Sequence, residues 1–182
     1  MSAFEEKITL AGGCFWCIEG AYTQLVGIIS AVSGYMGGDA TKATYEDVCS
    51  GNTEHAEVVE LTFDNREISS REILEIFFTL HDASQLNRQG NDVGRQYRSA
   101  IFYHNEQQKA LSLSIIKEVD DSGMYKAPVV TEVTACSTFF SGEDFHQNYF
   151  TNNPENPYCQ AVVSPKLAKF RQTFVAKLKT NL

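Results

Sequence analysis

The sequence predicts a mixed α+β protein, a two-layer α/β sandwich with a ferredoxin-like split βαβ core, additional helices and an irregular C-terminal tail. Strand and helix patterns alternate along its 182 residues without repeats or low-complexity linkers. The composition, with 43% hydrophobic and 21% charged residues, is typical of one ordinary globular unit. We therefore expect residues 1–182 to form a single domain.

The first half of the chain has the pattern strand, helix, strand, strand. The segment "KITLAG" alternates apolar and polar residues like a half-buried strand, and glycines follow it. From Cys14 to Gly27 apolar residues recur at helical spacing, which puts Cys14 at the N-terminus of a predicted helix. The segments "IISAVSGYMGG" and "HAEVVELTFDN" alternate in the same way and predict two further strands.

The middle of the chain continues with helix, loop, strand, helix and strand. Ser69 and Glu72 form a capping box before an amphipathic helix that reaches Leu80. The segment "LNRQGNDVGRQYRS" has no periodicity, and polar loops of this length are often functional. The segment "SAIFYH" predicts a strand, residues 105–123 a helix, and "VVTEVTAC" another strand.

The C-terminal region is expected to be less regular. The segment "GEDFHQNYF" predicts a short helix, and "NNPENPYCQAVV" predicts an irregular tail. Ser164 and Pro165 are typical of an N-cap and a first helical residue. They predict a closing helix whose apolar face carries Leu167, Phe170, Phe174 and Leu178.

Charge and cysteine content exclude several classes of protein. The 15 basic and 23 acidic residues give a net charge of −8, which argues against binding to nucleic acids or anionic membranes. No apolar run approaches the ~18 residues of a membrane span and no signal-peptide pattern opens the chain, so we expect a cytoplasmic protein. An odd number of cysteines, five, indicates thiols, metal ligands or redox partners rather than a disulfide framework.

Cys14 and Cys17 form a CxxC motif at the start of the first predicted helix. Backbone N–H groups and the helix dipole there favour a thiolate, so we expect a lowered pKa for Cys14. Cys17 lies one turn later, at a spacing that suits dithiol exchange. The motif also fits a general disulfide oxidoreductase or half of a zinc site, and Cys14 as a buried core residue is a further alternative.

A metal site has little support in the sequence. Zinc would need a second pair of ligands, whereas Cys49, Cys136 and Cys159 are far from one another in the chain. We expect no metal, although a four-ligand site assembled from dispersed residues stays an alternative.

Glu57 is the candidate acid. In "HAEVVELTF" it shares one strand face with Val59, Leu61 and Phe63. Burial on that face would raise its pKa, so that Glu57 stays protonated near neutral pH and can donate a proton. The alternative is that His55 and Glu57 lie at the exposed start of the strand and are solvated.

Aromatic residues accompany these candidates. Phe15 and Trp16 flank the candidate nucleophile and could form an apolar pocket for a methyl or thioether group, or belong to the core. Tyr45 and Tyr97 carry hydroxyl donors on predicted loops, where they could hold an oxygen atom of a substrate.

Several motifs together resemble the A-type peptide methionine sulfoxide reductases. They occur in family order between Gly12 and about Cys159, and they read "GCFWC", "GYMGG", "TYEDVCSGNTEHAEVV", "HD", "RQGNDVGRQYRSAIF", "EDFHQNYF" and "NPYC". The resemblance implies an oxidoreductase of protein repair that reduces the S epimer of methionine sulfoxide, free or in proteins. It also implies that the single domain is catalytic and needs no cofactor.

The resemblance assigns roles to individual residues. It implies that Cys14 attacks the sulfoxide sulfur and becomes a sulfenic acid, while Glu57 protonates the oxygen. The other implied site residues are Tyr45 and Tyr97 for the oxygen, Phe15 and Trp16 for the S-methyl group, Asp92 for the substrate backbone or the order of the site, and His146 as a support.

The resemblance also bears on how the sulfenic acid is resolved. Many family members have glycine in place of Cys17 and use a C-terminal cysteine, whereas this chain has both Cys17 and Cys159. We expect Cys17 to resolve first, because its disulfide needs little loop closure, and Cys159, on a flexible tail, to relay the disulfide or to be idle. Thioredoxin is the implied reductant, and Cys49 and Cys136 are expected to be structural thiols.

Overall fold

The computed structural model describes residues 2–39, 41 and 43–180. Its strands are β1 (Glu5–Gly12), β2 (Ile28–Met36), β3 (Ala56–Asp64), β4 (Arg88–Gln89), β5 (Asp92–Val93), β6 (Ser99–Tyr103), β7 (Glu132–Ala135) and β8 (Phe140–Ser141). Its α-helices are α1 (Phe15–Tyr22), α2 (Tyr45–Cys49), α3 (Ser70–Leu80), α4 (Glu106–Ser122), α5 (Tyr149–Asn152) and α6 (Ser164–Thr173).

The main sheet has six strands in the order β7-β6-β1-β3-β2-β8. Strand β3 lies between β1 and β2 and is antiparallel to both, and β6 is antiparallel to β1. The units β1-α1-β2 and β3-α3-β6 are therefore two interlocked split βαβ units, which confirms the predicted ferredoxin-like core. Strand β7, parallel to β6, and β8, antiparallel to β2, extend the two edges.

Strand β3 is buried on both faces. Val59, Leu61 and Phe63 are fully buried and belong to the main hydrophobic cluster with residues of the helices. Val58 belongs to a smaller cluster on the opposite face. Burial of one such side chain contributes roughly 1.5–3 kcal/mol to the stability of the fold, so the packing of β3 holds Glu57, at the start of the strand, in a fixed position.

The capping box predicted for α3 is confirmed, and the structure shows a cap at α4 as well. The Ser69 hydroxyl accepts the Glu72 N–H at 3.1 Å, and the Glu72 carboxylate accepts the Ser69 N–H at 2.9 Å. The Asn105 side chain caps α4, which ends at Gly123 in the left-handed region. These local interactions satisfy backbone groups at the helix ends, which explains why the sequence predicts them well.

Four predicted boundaries are wrong. One is the end of the closing helix, because α6 ends at Thr173 and Leu178, predicted on its apolar face, lies beyond it in an extended conformation. Helix α1 ends at Tyr22 and not at Gly27, because shorter-range turns follow it and Leu25 forms a bridge with Leu178. The predicted helix "GEDFHQNYF" is split into a 3₁₀ turn, Asp144–His146, and α5, since Asn148 between them has a φ of 53°.

The fourth wrong boundary is the start of the closing helix. Residues Cys159–Val163 form a π-helical turn that continues directly into α6. Ser164 is therefore helical, with a φ of −57°, and is not the predicted N-cap. The tail is more regular than expected, because Cys159, Val163 and Leu167 pack into the main core.

The helices of the part of the chain that the structure describes are all too short or too polar to cross a membrane.

Candidate active site

The junction of β1 and α1 carries the candidate nucleophile. Gly13 has a φ of 91°, and a Cβ atom there would lie 2.8 Å from Gln89 Cγ, so only glycine fits this turn. Cys14 follows as the N-cap residue of α1. The predicted placement of Cys14 at a helix N-terminus is confirmed.

A cavity of about 250 Å³ lies over this junction. It brings together seven of the residues predicted for the site, Cys14, Phe15, Trp16, Tyr45, Glu57, Asp92 and Tyr97. Asn156 and Tyr158 also line it and were missed by the sequence analysis. The "NPYC" motif that contains both was the available signal, but it drew attention only to its cysteine.

Glu57 is buried, with 2% of its surface exposed, and its Oε1 accepts the backbone N–H of Phe15 at 3.3 Å. Burial raises the pKa of Glu57 to about 8, although the hydrogen bond from Phe15 acts in the opposite direction. His55 is fully buried as well. The alternative of a solvated strand start is therefore wrong, and Glu57 is protonated at neutral pH.

The expected lowering of the Cys14 pKa is wrong for the substrate-free site. Burial and a hydrogen bond with Cys17 raise the pKa of Cys14 well above its ordinary value, and a negative charge on Glu57 would raise it further. The backbone N–H of Trp16 lowers it, as the helix N-terminus predicts, but this effect is smaller. The resting site therefore holds a neutral thiol at Cys14 beside a neutral carboxyl group.

Tyr45 opens α2, and Tyr97 ends the 3₁₀ turn Arg95–Tyr97. Burial raises the pKa of both hydroxyls, so both stay hydrogen-bond donors. Burial raises the pKa of the Cys49 thiol, and the hydroxyls of Tyr45 and Tyr97 lower it. Cys49, predicted to be only a structural thiol, therefore interacts with two residues of the cavity.

The aromatic wall of the cavity is held by stacking. Trp16 stacks on Tyr149 with 3.8 Å between ring centroids and 6° between ring planes. It also packs edge-on against Tyr158, with 5.9 Å between their ring centroids. Its indole N–H donates to His146 Nδ1 at 3.2 Å. His146 is 1% exposed and lies behind the wall, not in the cavity lining.

Asp92 is held by two sets of interactions. Its Oδ2 accepts the hydroxyl of Tyr158 at 2.6 Å. The β4–β5 hairpin that carries it is fixed because the Gln89 amide donates to the Asp82 carbonyl and accepts from the Asp82 N–H, each at 3.0 Å. These hydrogen bonds tie the hairpin, which carries the "RQGND" motif, to Asp82 of the "HD" motif, so that the two motifs form one rigid element.

Cys159 is fully buried and is not on a flexible tail as predicted. Asn156 Oδ1 accepts the N–H groups of Tyr158 at 2.9 Å and of Cys159 at 3.3 Å, which fixes the start of the π-helical turn. Burial raises the pKa of Cys159, and a negative charge on Cys17 would raise it further. All five cysteines are free thiols.

Among residues 2–39, 41 and 43–180, no group of three or more His, Cys, Asp or Glu side chains is arranged to hold a metal ion.

Comparison with known proteins decides the family. Residues 6–178 match the sequence model of the family described as peptide methionine sulfoxide reductase. The chain belongs to the peptide methionine sulfoxide reductase family. Two relatives named peptide methionine sulfoxide reductase MsrA come from Polynucleobacter asymbioticus and Saccharolobus solfataricus. The first is 50% identical, over 93% of this chain and 89% of its own. The second is 51% identical, over 97% of this chain and 98% of its own.

Solved structures share the fold of this peptide methionine sulfoxide reductase family member. The reduced form of Mxr1 from Saccharomyces cerevisiae superimposes with a TM-score of 0.82 at 32% identity, over 87% of this chain and 91% of that one. A structure of Mxr1 in complex with Trx2 superimposes with a TM-score of 0.58 at 24% identity, over 82% and 87%. The second likeness concerns the fold alone.

Proposed function

We propose that this chain reduces the S epimer of methionine sulfoxide, free or in proteins, to methionine, with Cys14 as nucleophile and Glu57 as acid. Methionine sulfoxide reduction is the activity of the family, whose sequence model spans residues 6–178. One observation supports the residue roles most strongly. The Cys14 thiol and a buried Glu57 with a pKa near 8 line the same small cavity.

The proposed reaction moves one oxygen atom and two electrons. Glu57 donates its proton to the sulfoxide oxygen, and the carboxylate formed accepts the proton of the Cys14 thiol. The Cys14 sulfur attacks the sulfoxide sulfur and forms a sulfur–sulfur bond, and the sulfur–oxygen bond of the substrate breaks as the protonated oxygen leaves as water. A water molecule then attacks the Cys14 sulfur and breaks the sulfur–sulfur bond, so that methionine leaves with its sulfur reduced, Cys14 becomes a sulfenic acid and the proton released returns to Glu57.

The remaining residues of the cavity bind the substrate in this proposal. The hydroxyls of Tyr45 and Tyr97 donate hydrogen bonds to the sulfoxide oxygen, where negative charge develops before protonation. Phe15 and Trp16 contact the S-methyl group of the substrate, because their apolar rings match this apolar group. Asp92 accepts a backbone N–H of the substrate or orders the site through Tyr158, and His146 supports Trp16 through their hydrogen bond.

Cys17, the second cysteine of the CxxC motif, is the first to resolve the sulfenic acid on Cys14. Cys17 forms a hydrogen bond with Cys14 that lowers the Cys17 pKa, and its attack on the sulfenic acid releases water and forms a disulfide. Cys159 then exchanges with Cys17 or stays idle. A dithiol donor such as thioredoxin reduces the final disulfide, so that the enzyme acts in protein repair as a single catalytic domain in the cytoplasm.

A stereospecific assay tests the proposed function. Purified protein is mixed with each epimer of a methionine sulfoxide derivative and a dithiol reductant, and the methionine product is measured. We expect turnover of the S epimer only, none with Cys14→Ser, and unchanged turnover with Cys136→Ser, the matched change at an exposed thiol outside the cavity. Reduction of an ordinary disulfide substrate without reduction of either epimer would instead indicate a general disulfide oxidoreductase.

A further inference from the structure

Glu143 connects three elements behind the cavity. Its Oε1 accepts the backbone N–H of Tyr45, at the start of α2, at 3.1 Å. Its Oε2 accepts the hydroxyl of Tyr35, on β2, at 3.4 Å and lies 3.3 Å from His146 Nε2. The Glu143 carboxylate therefore contacts both Tyr45, whose hydroxyl is proposed to bind the sulfoxide oxygen, and His146. His146 lies behind the methyl-binding wall, which is formed by Phe15 and Trp16.

The proton position on His146 follows from its partners. An indole N–H can only donate, so His146 Nδ1 accepts the hydrogen bond of Trp16 and carries no proton. Burial lowers the pKa of His146, so the ring is neutral and its proton lies on Nε2. Among the described side chains, Nε2 is the buried polar atom without a well-aligned partner. Glu143 Oε2 is the acceptor within its reach.

The His146 ring also packs between the two halves of the site. Its centroid is 4.3 Å from that of Tyr45, 5.2 Å from that of Phe15 and 5.8 Å from that of Trp16. Any rotation of the ring would therefore shift the methyl-binding wall relative to the oxygen-binding side. A group that fixes this ring fixes the distance between the two sides.

We propose that Glu143 is a positioning residue that holds Trp16, through His146, and Tyr45, through its backbone N–H, in one fixed geometry and thereby sets the preference for one sulfoxide epimer. The inference rests on the proposed function. The two epimers differ in where the oxygen and the methyl group lie when the sulfur faces Cys14. A site discriminates between them only while its oxygen contacts and its methyl contacts keep their relative positions.

The variants Glu143→Gln and Glu143→Ala test the proposal. Glutamine keeps the size of the side chain but has one acceptor oxygen where glutamate has two, so it cannot hold both Tyr45 and His146. We expect kcat/KM for the S epimer to fall about tenfold, within the range that misplacement of reacting groups produces, while that for the R epimer does not fall. The epimer ratio therefore drops, and Glu143→Ala has the larger effect.

The fluorescence of Trp16 is the second readout, because Trp16 is the single tryptophan of the chain. We expect its emission to shift in Glu143→Gln and not in the control Glu155→Gln, which neutralises an exposed carboxylate of the same C-terminal region. A merely structural role for Glu143 would lower the thermal midpoint without changing the epimer ratio or the emission.

A measurement on the wild type avoids dependence on variants that fold poorly. Nitrogen chemical shifts of His146 by NMR are expected to report a neutral ring protonated at Nε2. A ring protonated at Nδ1, or an unchanged epimer ratio in Glu143→Gln, would overturn the proposal. Failure of the wild type to reduce either epimer would instead overturn the proposed function, so the two failures are distinguishable.

Discussion

The backbone N–H of Phe15 donates a hydrogen bond to Glu57 Oε1 at 3.3 Å, and this contact joins the residue after the proposed nucleophile, Cys14, to the buried carboxyl group of β3. The bond fixes the acid beside the thiol. It also stabilises the charged form of Glu57, but burial outweighs it and keeps the pKa near 8. The positions of the proposed catalytic pair, Cys14 and Glu57, are therefore fixed by the packing of β3 against the first turn of α1.

Glu57→Gln removes the proton donor while it keeps the size and the hydrogen-bond acceptor of the side chain. We expect the rate of S-epimer reduction at neutral pH to fall by about 10²–10⁴, the usual contribution of a general acid. Steady-state assays with the free amino acid derivative measure the change. A fall smaller than twofold would show that Glu57 is not the proton donor.

The stability of the protein is expected to depend on the titration of Glu57. The folded-state pKa is about 8 and the ordinary value is 4.5, so the folded protein holds the proton more tightly than the unfolded chain does. The Glu57 contribution is therefore fully present below about pH 4.5 and is lost as the pH rises towards about 8. Denaturant unfolding measures this as a loss of stability relative to Glu57→Gln over that window.

The control for the stability prediction is Glu155→Gln, because Glu155 is exposed. Its unfolding free energy is expected to follow that of the wild type at every pH. Parallel curves for wild type and Glu57→Gln would contradict the raised pKa.

Gly13→Ala is expected to disturb the junction between nucleophile and hairpin. A side chain there meets both a φ of 91° and the Gln89 Cγ atom at 2.8 Å. We expect a loss of stability of about 1–3 kcal/mol together with a loss of activity, because Gln89 positions the hairpin that carries Asp92.

Gly51→Ala is the matched control for Gly13→Ala. Gly51 has a φ of 76°, but a Cβ atom there would meet nothing within 4 Å. The variant is therefore expected to lose about 1–2 kcal/mol from backbone strain alone. Equal losses in stability and activity for the two variants would show that the contact with Gln89 has no role.

The fold was largely predictable from the sequence because its signals are local. The alternation in β3 and the capping box at Ser69 depend on residues a few positions apart, and both are confirmed. For Glu57 the sequence leaves burial and solvation both open, because its strand face carries Val59 and Leu61 but it lies at the start of the strand. The structure buries it.

The errors concern properties that depend on distant parts of the chain. The pKa of Cys14 was predicted from the helix N-terminus, but burial by surrounding residues outweighs that effect. Likewise, Cys159 was predicted to lie on a flexible tail, whereas its π-helical turn packs into the core. Tyr158 was missed because its contact with Asp92 joins residues 66 positions apart.

The order of disulfide formation is testable by peptide mapping. After one turnover without reductant and rapid alkylation, we expect a Cys14–Cys17 disulfide, because the two thiols already share a hydrogen bond within the first turn of α1. Cys159→Ser is expected to leave this first disulfide unchanged. A dominant Cys14–Cys159 disulfide in the wild type would show that Cys17 does not resolve first.

The central claim is that the Cys14 sulfur attacks while neutral Glu57 protonates the oxygen. A single-turnover experiment with Cys17→Ser/Cys159→Ser tests it most directly, because without resolving thiols the reaction stops at the sulfenic acid. The account predicts one methionine and one sulfenic acid on Cys14 per chain, formed with a rate constant that falls as the pH rises through about 8. A rate constant that stays level above that pH, or methionine formed without a sulfenic acid on Cys14, would contradict it.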